Sequence, residues 1–189
     1  MSATSTQAIC WATRRAASST RRTGLDGRPL VNLVFVAGCY GPADQLQGLI
    51  DATPAWGTCT VPVGTYLPAV IPAGKDGMKL VSAKAGATII DSKNRSRCLL
   101  VESKNVTLEG FTFRSGYAAA DDEGGDGGGV LEKSGATSLV VSNCTFEACV
   151  AAASGGGLGV AKSVKDCKFT DCTAGTGGGV SSAQTTEDC

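Results

Sequence analysis

The chain has 189 residues, enough for one domain with a buried core, and its 17 basic residues balance 17 acidic ones. Five arginines and one acid, Asp26, fall in residues 1–30; the remainder carries 12 basic and 16 acidic residues, and no basic patch alternates with aromatics, which argues against nucleic-acid binding. Aromatics are only 5% of the chain while 26 residues are glycine, a balance that suits a slim repetitive structure better than a globule.

Residues 1–28 are rich in Ser, Thr, Ala and Arg and have no apolar periodicity, so they read either as a targeting leader or as an untidy N-terminus. Leu30–Gly38 is an apolar run of signal-segment length, too short to span a bilayer. It ends at Val36-Ala37-Gly38-Cys39, which resembles the lipobox of bacterial lipoproteins; a buried first strand is the other reading. Residues 1–40 are thus expected to be a poorly ordered leader or targeting segment, and the protein to be secreted or held at the cell surface without a transmembrane helix.

Residues 41–57 form the expected entry. Leu46, Leu49 and Ile50 stand at helical spacing and predict a short helix over 44–52, which Pro54 stops. Strand candidates follow at Thr58–Val61, Ala69–Ile71, Met78–Val81, Ala87–Ile90 and Cys98–Val101, separated by glycines and charged corners. With one apolar face each and no helices between them, such strands cannot make a doubly wound sheet.

The last third of the chain repeats itself. Asn143-Cys144-Thr145-Phe146-Glu147-Ala148-Cys149 leads to Gly155–Gly157; Asp166-Cys167-Lys168-Phe169-Thr170-Asp171-Cys172 leads to Gly177–Gly179; a third copy begins at Asp188-Cys189. The cysteines recur at 23, 23 and 22 residues, a solenoid period. A degenerate copy, Asn105 to Phe113, matches Ser138 to Phe146 at a spacing of 33, and the ten extra residues are expected in the loop Ala118–Asp126. The reading is all-β: a right-handed parallel β-helix over 58–189, with Phe113, Phe146 and Phe169 stacked inside, Gly110, Asn143 and Asp166 at one corner, and the short helix capping its first turn. The final copy at Cys189 has no capping helix of its own, so end-to-end self-association through that turn is expected.

These phrases resemble the repeats of polymorphic outer membrane proteins and, more widely, pectin-lyase-like right-handed β-helices. In such repeats a glycine pair precedes an apolar strand and Phe-x-x-Asn closes the next one. Here Phe146 and Phe169 are followed by Cys149 and Cys172 where the asparagine would stand. The resemblance covers roughly Asp44 to Cys189 and implies the fold, with an N-terminal helix plugging the coil. It also implies an alternative function, since sugar-cleaving enzymes use this fold.

The candidate chemistry is thin. Asp121 and Asp122 form an adjacent carboxylate pair, and Asp126 with Arg95, Arg97 or Arg114 could serve a calcium-dependent lyase; nothing in the sequence links them. The acidic loop Asp121–Asp126 lacks the spacing of known calcium loops and reads as solvated. There is no histidine, and in a continuous strand Cys144 and Cys149 would point to opposite sides, which disfavours zinc. The repeat cysteines Cys144, Cys149, Cys167, Cys172 and Cys189 read as core positions, with cross-linking the alternative. Thr58-Cys59-Thr60 does not recur, which removes an ice-binding ladder. No catalytic, cofactor-binding or metal-binding residue is therefore assigned. The expected function is a non-catalytic structural or adhesive repeat segment of a secreted or cell-surface protein, with polysaccharide or another surface protein as partner. A polysaccharide lyase or glycoside hydrolase acting on acidic polysaccharide is the alternative.

Overall fold

A computed structural model describes residues 45–189 apart from Ser134 and Ala136. The leader expected over residues 1–40 lies outside the described residues.

Helix α1 (Gln45–Ala52) buries Leu46 and Ile50, one turn apart on the same face, with Leu49 half-buried beside them. Past Thr53, whose hydroxyl donates to Leu49 O at 2.8 Å, Pro54 cannot continue the helix. Strands then succeed one another: β1 (Thr58–Val61), β2 (Gly64–Tyr66), β3 (Ala69–Ile71), β4 (Lys79–Ser82), β5 (Thr88–Asp91) and β6 (Leu99–Val101). The middle of the chain supplies β7 (Thr107–Glu109), β8 (Phe111–Arg114), β9 (Tyr117–Ala118), β10 (Val130–Glu132) and β11 (Val140–Ser142). The last third adds β12 (Thr145–Glu147), β13 (Val150–Ala151), β14 (Leu158–Lys165), β15 (Lys168–Thr170) and β16 (Val180–Glu187).

Every pairing among them is parallel. Nine strands make one strongly curled sheet, in the order β1-β4-β7-β11-β14-β10-β6-β3 with β16 on the outer side of β14. The other sheets run β15-β12-β8-β5-β2 and β13-β9. Apart from β14 and β16, each strand is short because a corner interrupts it, and the corners recur. Gly110, Asn143, Asp166 and Asp188 all have positive φ and stand at equivalent positions, as expected for the first three. Glycine takes this conformation without strain, and Asn and Asp tolerate it.

Alternation sets the core. Cys59, Leu80, Leu108, Val141 and Val164 pair in register from β1 to β14 and all face inward. Phe113, Phe146 and Phe169 likewise align, with ring centroids 5.0 and 4.8 Å apart. The glycine triplets explain how rings of that size fit. A Cβ on Gly129 would lie 2.9 Å from the Phe146 ring, and one on Gly157 2.7 Å from the Phe169 ring. The backbone at this corner therefore lies against the aromatic stack, where no side chain can be added.

The ten extra residues are not all in the acidic loop. Ala118 and Val130 are twelve residues apart while their partners Ala151 and Leu158 are seven apart. Val130 and Val140 are ten apart, and their partners Leu158 and Ser163 only five. The excess divides equally between the loop after β9 and the segment joining β10 to β11. Where the second insertion is missing, the two strand positions fuse into the eight-residue β14, which pairs with both β10 and β11. That fusion is why two ladders form one nine-stranded sheet.

Candidate functional site

The acidic loop is built around one buried guanidinium. Arg97 lies just ahead of β6, with its side chain 5% exposed. Its Nε donates to Asp126 O at 2.8 Å, one terminal nitrogen donates to Asp122 O at 2.5 Å, and the other meets the Asp122 carboxylate at 2.7 Å. A planar fork can bind three acceptors at once, which an ammonium could not arrange in one plane. Turns at Asp122 N–H to Ala119 O (3.0 Å) and Gly125 N–H to Asp122 O (2.8 Å) close the loop around it. Asp121 stays exposed. Asp126 Oδ1 is buried without a hydrogen-bond partner.

Of the sequence candidates, then, Arg97, Asp122 and Asp126 come together, a link the sequence did not reveal. Arg114 is used elsewhere: from the outer face of β8 it holds Asp91 on β5, one turn earlier, at 2.8 Å. Burial would raise the Asp91 carboxyl, but Arg114 and the Lys93 backbone N–H outweigh it and hold the group below its ordinary value. Arg95 is exposed. Among the described residues, no group of three or more acidic, Cys or His side chains is placed to hold a metal ion.

The second insertion is organised by Glu132, which sequence reading missed. It takes the inward position that Ile71 and Val101 hold in earlier turns, and is buried. Its carboxylate accepts from Ser138 N–H (3.0 Å), Ser138 Oγ (2.7 Å) and Leu139 N–H (3.1 Å). Ser138 Oγ in turn accepts from Asn105 N–H at 2.8 Å, tying the segment to the preceding turn. An inward carboxylate is tolerable here because charge-assisted bonds to backbone N–H replace water. Its only sequence signal was a charge in an apolar strand.

The cysteines form two columns. Cys144 and Cys149 are both buried, contrary to the alternation expected of a continuous strand. Ala148, at φ 50°, turns the chain between them and restarts the alternation; Asp171, at φ 54°, does the same for Cys167 and Cys172. Burial pushes the Cys144 thiol well up, helped by its hydrogen bond to Cys167, and that same bond holds Cys167 below its usual value. In the other column Cys172 pulls the Cys149 thiol down, but Cys98 and burial outweigh it and push the group up to about 12. Cys172 is raised too, by its bond to Cys149 and then by burial. Cys98 joins this column through its interaction with Cys149. Compared with protein-family models, curated proteins and solved structures, the chain matches none of them.

Proposed function

We propose that residues 58–189 belong to a right-handed parallel β-helix whose role is structural or adhesive, a rigid segment of a secreted or cell-surface protein. One observation carries this reading: successive turns repeat the same residue at the same register position, down to the Phe113–Phe146–Phe169 stack and the Gly129, Gly157 and Gly179 positions against it. Identical stacked turns favour stiffness and length. The outward charges also bind one turn to the next, as in Asp91–Arg114 and Lys165–Glu187. The partner in this reading is polysaccharide or another surface protein. Phe169, Cys172, Val180 and Ala183 are only partly covered, an apolar face suited to a further copy of the same repeat, whether on this chain or another.

The alternative is a lyase or glycosidase acting on acidic polysaccharide, and one sample tests both. Sedimentation across a concentration series should show reversible association, while the same sample should release no unsaturated uronate from acidic polysaccharide. Steady release that is lost on Arg114→Ala or Asp126→Ala would replace the structural reading with the enzymatic one. A strictly monomeric sample would remove the end-to-end contact.

A further inference from the structure

We propose that the repeat cysteines are a disulfide-forming modification site, in which Cys144 joins Cys167 and Cys149 joins Cys172. The bonds then run from one turn to the next, and none closes within a C-x4-C phrase.

Backbone register places each pair side by side. The Thr145–Lys168 pairing sets Cys144 beside Cys167, and Lys168 N–H donates to Cys144 O at 2.9 Å. The Val150–Thr173 bridge sets Cys149 beside Cys172, and Thr173 N–H donates to Cys149 O at 2.9 Å. Neighbouring strands lie about 4.8 Å apart, within the ~4.4–6.8 Å separation of Cα atoms that disulfides span.

The sulfurs occupy equivalent places in successive turns. Cys144 Sγ lies 3.2 Å from Ser142 O, and Cys167 Sγ lies 3.8 Å from Val141 O, the adjoining carbonyl of the same turn. Cys149 Sγ lies 3.5 Å from Glu147 O, and Cys172 Sγ lies 3.5 Å from Phe146 O. Each Sγ lies over its own turn and the turn before, as Cys167 Sγ does at Lys165 O (3.2 Å) and Val141 O (3.8 Å), so the two thiols of a pair are stacked neighbours.

The alternative pairing within a phrase fails on distance. Cys144 and Cys149 flank opposite ends of β12, with Phe146 between them. At about 3.3 Å per residue, the four steps from Cys144 to Ala148 alone extend roughly 13 Å, well beyond disulfide reach.

The chemistry balances with a low-molecular-weight disulfide, RSSR, as oxidant. The Cys167 thiolate attacks one sulfur of RSSR; the S–S bond breaks and RS⁻ leaves with the electron pair. The Cys144 thiolate then attacks Cys167 Sγ and expels the second RS⁻. Two protein thiols are oxidised, RSSR is reduced to two RSH, and the two protons end on the released thiols. Cys149 and Cys172 react in the same way. Either cysteine of a pair can attack first, and the balance is the same.

The test is to refold the full chain from denaturant in reduced plus oxidised glutathione, alkylate the remaining thiols, and digest with trypsin and a Glu-specific protease. Cleavage after Glu147, Lys162, Lys165, Lys168 and Glu187 puts Cys144, Cys149, Cys167, Cys172 and Cys189 on five different peptides. The expected result is loss of four alkylatable thiols and two linked pairs, Cys144 with Cys167 and Cys149 with Cys172. Cys172→Ala should abolish the second link and leave the first. A link within either phrase, a link to Cys98 or Cys189 in place of these, or full alkylation of the four would overturn the proposal.

Discussion

At the scale of single residues, two glycines show how position decides the sign of one substitution. A Cβ at Gly157 would meet the Phe169 ring at 2.7 Å and Gly179 O at 2.9 Å, so Gly157→Ala should cost about 1–3 kcal/mol through overpacking. On α1 a Cβ at Gly48 meets nothing within 4 Å, and Gly48→Ala should stabilise by about 0.5–1 kcal/mol through helix propensity. Urea unfolding of the two variants checks both signs. The thiols make a second residue-level prediction. Cys144, Cys149 and Cys172 titrate above their ordinary value in the folded chain. A raised folded pKa contributes stability that is whole below the unfolded value of about 8.5, then is lost as pH rises towards the folded value. The urea midpoint of the reduced protein should therefore fall from pH 8 to 11. Cys149→Ala should flatten that slope, and an equal slope in the variant would count against the assignment.

At the scale of elements, α1 packs Leu46 and Ile50 into the core beside β1 and β3 and seals a sheet edge. Gln47 treats β3 as a sheet neighbour would: its amide nitrogen donates to Val70 O at 3.0 Å, and its amide oxygen accepts from Val70 N–H at 2.9 Å. A side chain thus occupies the edge of the sheet where another strand could dock. Gln47→Ala should cost about 1–2 kcal/mol for two neutral hydrogen bonds, and raise light scattering as β3 becomes available for pairing. Leu46, Leu49 and Ile50 were all legible from helical spacing, but their ranking was not. Leu49 is only half-buried, so Ile50→Asp should lower the melting temperature far more than Leu49→Asp. β1, β3, β4, β5 and β6 were legible to within a residue because alternation and glycine punctuation mark them. The inward turn of Cys149 was not, since Ala148 carries no sign of a left-handed corner. The Arg97 anchor and the Glu132 clasp were equally hidden. Each depends on partners 25–29 or 6–7 residues away that only the folded register brings together.

At the scale of the molecule, a stack of turns loses stability from its uncovered side inward, because each turn draws support from its neighbours. Val141 and Leu108 are fully buried within the stack, whereas most of β16 is exposed. Amide exchange should accordingly be fastest in β15 and β16, slower in β14 and slowest in β7 and β11. Uniform protection across these strands would mean that the chain opens as a single unit. The period of 23 residues was legible at this scale because cysteines and glycines mark it. The even division of the ten extra residues was not, because the acidic loop drew attention from the quieter Lys133–Leu139 segment.

That division has a consequence for how such a chain can change. Two corners each admit five additional residues while every paired strand on either side keeps its partner. Loop entropy grows only by about 0.6 kcal/mol for each doubling of length. Length at these corners is thus uncoupled from alignment in the sheets. Foreign segments could be grafted at the exposed Gly124 without the aromatic stack registering their presence, whereas a single residue inserted within β12 would turn the side chains beyond it inside out.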